Sequence, residues 1–522
     1  MKTLAFASLF LAFCASGVAQ NVSVVQDNVG NPGPVYYGHE RKVARTTGGL
    51  LMATWNDKAA TVAGGQVFFA TYDDAFQSWS PATAISNAAD RAIQSALAAD
   101  ESGNIHAVWI QRATSTARYQ VYYAKFNGIA WNTPAKISVT DTEPAEEATI
   151  EVDSRGYLWV VYNNDGAGVG KEFVLAVKST NGGTSWSAVP DTLYKVGTLG
   201  SSIEVARVSL ASGPEGRMVA VWDNSLTGTN TRREVFVNQF DGTSWSGEVL
   251  ISDTTTVDRD HNRYTSVAVD RQSNIYVFQT LGIISGSDPR PRKILMHKKA
   301  WGAAWTLPHA AEIAVDTISF RDISAVADSE NVIHLAYRRD IKADTIGLAE
   351  MVYTFSKDGG ATWAPRLVLS RPQHDAGYIT ISNRVRKQYG VDILWRESRD
   401  INRGDQDTTA VVYANIPYSM ITAVENGQLP VRFETLANYP NPFNPSTMVT
   451  FDVIQRGAVS LVVYDVLGRE VRTLVNDVLE AGAHEVRWDG RSNASLPATT
   501  GVYVARLSTV AGSRTTSMLL LK

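Results

Sequence analysis

Arginines, tyrosines, histidines and carboxylates recur at one place in this chain, just before or at the start of apolar runs that repeat. His39 and Arg41, Gln94, Glu147, Glu204 with Arg207, Arg263 with Tyr264, Arg321 with Asp322, and His374, Asp375 and Tyr378 all stand there. Asp57, Arg112, Asp165, Asp223, Arg338, Arg396 and Glu397 follow where the second apolar run of a copy ends. Guanidinium forks match carboxylates bidentately, so this mixture suits an acidic ligand if the side chains converge. Scattered, or paired off in ion pairs, the same residues describe a binding scaffold without catalysis. His106 and His334 are a separate case. Both occupy the same interior position, in "NIHAVW" and "VIHLAY", and read as core residues of the repeat.

The elements that must position these groups are visible as a repeat. "IQSALAADESGNIHAVWIQR" (93–112) returns as "ATIEVDSRGYLWVVYNND" (148–165), "TSVAVDRQSNIYVFQT" (265–280) and "DISAVADSENVIHLAYRRD" (322–340), with diverged copies at 41–57, 206–224 and 378–397. Each reads as two strands joined by a turn rich in Gly, Asn, Asp or Ser. A third strand, a turn and a tryptophan follow most pairs, as in "VLAVKSTNGGTSWS" and "MVYTFSKDGGATWAPRLVLS". Four-stranded units at a spacing of about 40 to 55 residues predict an all-β chain with a β-propeller over 20–417, with seven blades expected and six as the alternative. The seventh copy stops after three strands at "AVVYANI", and "NVSVVQD" (21–27) is expected to supply the fourth and close the ring.

The turns "STNGGTSW" and "SKDGGATW", with the shortened "FDGTSW" and "FNGIAW", resemble the Asp-box of bacterial neuraminidase repeats, and residues 21–417 resemble a sialidase-like propeller. The resemblance implies three arginines clamping a substrate carboxylate, a tyrosine nucleophile activated by a glutamate, and an aspartic acid as acid/base. It places Tyr378 as nucleophile, Glu204 as its activator and Asp57 as acid, with His39, Arg41, Arg263, Arg321 and Arg338 as substrate-binding residues. Two arginine positions of the family fall on His39 and Asp223, so the clamp departs from the pattern. Propeller lyases acting on uronic-acid polymers use His, Tyr and Arg, types that His39, Tyr264, Arg263 and His374 also supply.

After a linker at 418–435, "LANYPNPFNPSTMVTFDV" opens a second domain (436–522) in which Pro440, Pro442 and Pro445 enforce an extended approach to an alternating strand. The strands beyond it, with turns at Leu467-Gly468 and Asp489-Gly490, predict a small Ig-like β-sandwich. "YPNPFNPST", "VYDVLGREV", "WDG", "GVYVARL" and the terminal "LLLK" resemble, in that order, the C-terminal sorting domain of the type IX secretion system of Bacteroidota and their relatives. The resemblance implies passage across the outer membrane, and release or attachment at the surface of a Gram-negative cell.

Residues 1–19 combine Lys2, an apolar run from Leu4 to Phe13 and small residues at Gly17 and Ala19, the pattern of a secretory signal peptide. No later run reaches the ~18 apolar residues of a membrane span. The single cysteine, Cys14, lies inside that signal, which rules out a disulfide, cysteine catalysis or a cysteine metal site in the processed chain. A net charge of −4 argues against nucleic acid as a partner. No phosphate-cradling glycine loop, HExxH or G-x-S-x-G occurs, and no cofactor or metal is expected. The expected partners are an extracellular glycan or surface protein and, through 436–522, the type IX machinery, for a monomer that binds, and can process, extracellular glycans or, as the alternative, serves as a non-catalytic adhesion or protein-interaction scaffold.

Overall fold

A computed structural model gives the architecture. It describes residues 21–521 apart from 28, 30–33, 36–39, 60–61, 75, 77, 140–143, 166–171, 196–204, 226–232, 253–259, 284–290, 306–310, 316–319, 341–347, 372–373, 399–408, 424–435, 440, 454–455, 481 and 510–511. The expected signal peptide lies outside these residues. The chain divides into two units, one reaching to Val424 and one from Glu425 onward. No helix among the described residues is long and apolar enough to cross a membrane.

Among the described residues the first unit forms seven antiparallel blades. Their first strands are Val43–Arg45, Arg91–Ala99, Ala145–Val152, Val205–Ser212, Asp260–Val269, Phe320–Ala327 and Asp375–Ile381. First strands of successive blades pack on one another, so they line the axis. Asn21–Gln26 pairs antiparallel with Thr409–Ile416, Asn21 opposite Asn415 and Val24 opposite Val412, and so completes blade 7. Arg45 of blade 1 fastens the same seam: its Nε and Nη2 donate to Asp392 of blade 7 at 2.8 and 2.9 Å, with both side chains buried.

Apolar alternation fills the spaces between blades, and Trp55, Trp109, Trp222 and Trp395 are fully buried at one recurrent place in the second strands. The tryptophan that follows the third strand acts between blades. Trp186 of blade 3 meets Tyr123 of blade 2 edge-on at 5.0 Å, Trp245 of blade 4 meets Trp159 of blade 3 at 5.7 Å, and Trp79 of blade 1 meets Tyr413 of blade 7 at 5.3 Å. The turn before Trp186 is built by side chains: Ser179 Oγ accepts from the Gly183 N–H at 2.9 Å, and Asn181 Oδ1 accepts from the Ser185 N–H at 2.9 Å. Gly182 and Gly183 adopt φ of 65° and 85° there, which an L side chain resists.

His106 and His334 belong to this scaffold. Each imidazole bridges a tyrosine hydroxyl (Tyr123 at 2.8 Å, Tyr353 at 2.7 Å) and the aspartate that ends the preceding strand (Asp100 and Asp328, both at 3.2 Å). Asp153 and Asp270 make the equivalent bond to Trp159 and Tyr276, each six residues on.

The second unit is a sandwich of a three-stranded sheet (Leu436–Tyr439, Thr447–Val453, Gly482–Trp488) and a four-stranded sheet (Gly457–Asp465, Glu470–Leu479, Gly501–Thr509, Gly512–Leu520). Phe443, Phe451, Leu461, Val463, Trp488, Tyr503 and Leu520 form its core. The proline-rich segment is stitched to the last strand. The Phe443 N–H donates to Leu519 O, and Asn441 Oδ1 accepts from the Leu519 N–H, at 2.9 and 2.8 Å.

Candidate functional site at the axial mouth

A β-bulge interrupts the first strand at the same point in six blades. The bulged residues are Gln94, Glu147, Arg207, Tyr264, Asp322 and Tyr378, all with φ between 49° and 60°. Six non-glycine residues in the left-handed region at equivalent points are backbone strain placed systematically, of order 1–3 kcal/mol each. Each of the first five lies fifteen positions before the residue at the Trp109 place in its second strand, and the same count in blade 1 falls on Glu40. Seven polar side chains therefore ring the axis near the ends where the first strands begin.

The bulges are linked blade to blade. The Glu147 N–H donates to Gln94 Oε1 at 3.3 Å, the Arg207 N–H to Glu147, and the Tyr378 N–H to Asp322 Oδ2 at 3.0 Å. At three of the six sites, Gln94, Glu147 and Asp322, the side chain thus accepts from the next blade's backbone, which offsets part of the strain.

Blades 6 and 7 hold a continuous ionic cluster on this ring. Arg321 reaches Asp340 at 3.9 Å, and Arg338 donates to Asp340 at 3.0 Å and to Asp375 at 3.3 Å. Arg396 pairs with the fully buried Asp375, and its guanidinium lies 5.7 Å from the Tyr378 ring centre. Despite burial, Asp340, Asp375 and Asp322 hold the Arg338 guanidinium above its usual range. Arg321 differs from its neighbours because its side chain is 38% exposed against 7% for Arg338 and Arg396. Gly377 has no room for a side chain without pressing Arg338 Nη1, which a Cβ would meet at 3.0 Å.

A second cluster spans blades 3 to 5. Arg207 and Arg233 both pair with the fully buried Asp223, Arg207 at 3.1 Å, and the Arg207 guanidinium lies 4.8 Å from the Tyr264 ring centre. Burial pushes the Glu147 carboxyl up to about 7 against the pull of Arg207. Burial likewise raises Glu40 to about 8, although Lys42 pairs with it.

Of the residues singled out in the sequence, Arg321, Arg338 and Tyr378 come together in the first cluster. Arg41 lies deeper: it is 3% exposed and donates across the channel to Ser324 Oγ, Ile381 O and Ala325 O at 3.1, 3.2 and 2.7 Å. Asp57 sits in the second strand of blade 1 opposite Gln66. His39 and Glu204 lie outside the described residues, and of Arg263 only the backbone, opposite Thr280, is described. His374, a residue of the lyase alternative, directly precedes the first strand of blade 7 and is partly buried. Glu147, Arg207 and Arg396 stood in the sequence's inventory of the mouth without a role. Glu40 was missed, and the fifteen-residue spacing is the signal that finds it.

Residues 448–513 match the FlgD Ig-like domain. Among curated proteins no sequence matches the chain. Solved structures resemble it at low identity. A polysaccharide lyase of family PL25, an ulvan lyase bound to -[GlcA(1-4)Rha3S]-, is similar over 76% of this chain and 95% of its own, at 11% identity and a TM-score of 0.55. The polysaccharide lyase Uly1 is similar over 73% and 90% (10% identity, TM-score 0.47), and the Hadza microbial sialidase Hz136 over 69% and 74% (13% identity, TM-score 0.43). The chain is an all-β protein: a seven-bladed β-propeller among the described residues, a fold it shares with the ulvan lyase, followed by an Ig-like sandwich.

Proposed function

We propose that the propeller binds carboxylate-bearing extracellular glycans across the axial mouth. One observation carries this reading: Arg321, Arg338, Arg396 and Tyr378 converge on blades 6 and 7 of a ring whose neighbouring blades 4 and 5 hold Arg207 and Tyr264. Arginines supply forked donors for carboxylates and tyrosines supply flat faces for sugar rings. The buried arginines are held by Asp375 and Asp223, which fixes their positions and leaves Arg321, among the described residues, as a partly exposed cation for an incoming anion. Such pairing favours binding over bond cleavage, because a three-arginine clamp open to substrate is not assembled among the described residues. The fold shared with an ulvan lyase is compatible with an acidic polysaccharide as ligand. A glycan array probed with residues 20–430 tests the reading: retention on acidic and not on neutral glycans is expected, and indifference to acidic glycans contradicts it.

The same proposal includes the route. The order of motifs in 436–522 supports export by type IX secretion and release or display outside a Gram-negative cell. Deletion of 436–522 is expected to trap the propeller inside the outer membrane, and undiminished appearance in the medium or on the cell surface contradicts it.

A further inference from the structure

A cavity of about 510 Å³ lies at the other end of the channel, away from the ring of bulges. Its walls are the turns between first and second strands, including Ser154, Ser212 to Pro214 and Ser329, and Arg41 closes it toward the mouth. Blade 7 supplies the distinctive part. From Tyr378 to Trp395 is seventeen positions, against fifteen from Gln94 to Trp109, and the longer connection carries Asn383, Arg384 and Arg386 over the opening.

These three side chains cross the axis. Asn383 Nδ2 donates to Glu151 of blade 3 at 3.1 Å, Arg384 donates to Val152 O at 3.1 Å and pairs with Glu101 of blade 2, and Arg386 Nη2 lies 3.2 Å from the same carboxylate. Yet Arg384 Nε, Arg386 Nε and Asn383 Oδ1 are buried with no hydrogen-bond partner among the described residues. Buried donors and acceptors left unmatched are unfavourable, so three gathered at one cavity suit a ligand that can pair with them. Glu151 stands beside them, fully buried, its carboxyl raised by burial. Glu101 is 63% exposed, and an ion pair with a solvent-exposed partner contributes little, which makes it easy to replace.

We infer that this cavity is a second binding site, taking a small polyhydroxy acid the size of an acidic monosaccharide, whose carboxylate takes the place of Glu101 on Arg384 and Arg386 while its hydroxyls meet Asn383 and Glu151. The site is separate from the rim and does not depend on the reading given above.

Calorimetric titration of glucuronate into the full chain carrying Arg321→Gln, which weakens the rim, isolates the cavity; glucose is the neutral control. Saturable binding of glucuronate and not glucose is expected. Adding Glu101→Gln is expected to tighten it several-fold by removing the competing carboxylate, and Arg384→Met to weaken it at least tenfold. No glucuronate binding, equal binding of glucose, or weakening by Glu101→Gln overturns the inference. Should Arg384→Met fail to fold, Glu101→Gln decides alone, since it alters an exposed side chain. Failure here with retained array binding sinks only the cavity, and the reverse result sinks only the rim.

Discussion

At the scale of single residues, charge at the mouth depends on a few buried groups. Glu147 faces the ring with a carboxyl raised to about 7. Below that pH it is neutral and leaves Arg207 and Arg233 with Asp223 as their anionic partner; above it, a further negative charge opposes an acidic ligand. A unit charge about 10 Å away in water alters binding by roughly 0.4 kcal/mol, about twofold. Affinity for an acidic oligosaccharide is therefore expected to fall about twofold between pH 6 and 8, and Glu147→Gln, whose amide oxygen can still accept the Arg207 N–H, is expected to remove that dependence in titrations at the two pH values. The residue types at the mouth were legible in the sequence because they fall at strand starts. Their pairing was not, because the partners of Arg338 are Asp340 and Asp375, and the second comes from another blade.

At the scale of elements, the tryptophan turns act between blades. Trp186 follows the turn after the third strand of blade 3. Its ring lies against Tyr123 of the preceding blade, a contact that local pattern cannot reveal because the partner is more than sixty residues away. Trp245 packs likewise on Trp159 of the preceding blade, and also on Phe240 of its own. Trp245→Ala is expected to cost about 2–3 kcal/mol of stability, read as a lowered midpoint in denaturant unfolding with little change in binding. The bulges show the reverse limit. Alternation along "IQSALAAD" identifies a strand, but nothing in residue type marks Gln94, Glu147, Arg207, Tyr264, Asp322 and Tyr378 as sharing a positive φ; only their constant distance from the second strand does.

At the scale of the whole molecule, repeat spacing was enough to read seven blades and the closing strand, because each blade must bury both faces and a ring must not leave an open edge. The seam still depends on specific chemistry. Arg45→Ala would leave Asp392 buried without its guanidinium, and breaking such a pair costs about 3–5 kcal/mol. Thermal unfolding is expected to begin earlier, and protease to cut first near Asn21–Gln26; unchanged melting would mean the seam contributes little. Function was less legible than fold, since the same ring of polar groups serves either a ligand or the scaffold until the ion pairs are known. The most direct test of glycan binding at the mouth is calorimetric titration of an acidic oligosaccharide into residues 20–430 with and without Arg321→Gln. Arg321 is partly exposed and, among the described residues, its side chain makes only a long contact with Asp340, so its loss should spare the fold. A charge-assisted hydrogen bond contributes about 1.5–3 kcal/mol, so the variant is expected to bind at least tenfold more weakly. Equal affinity in the two proteins would contradict the account.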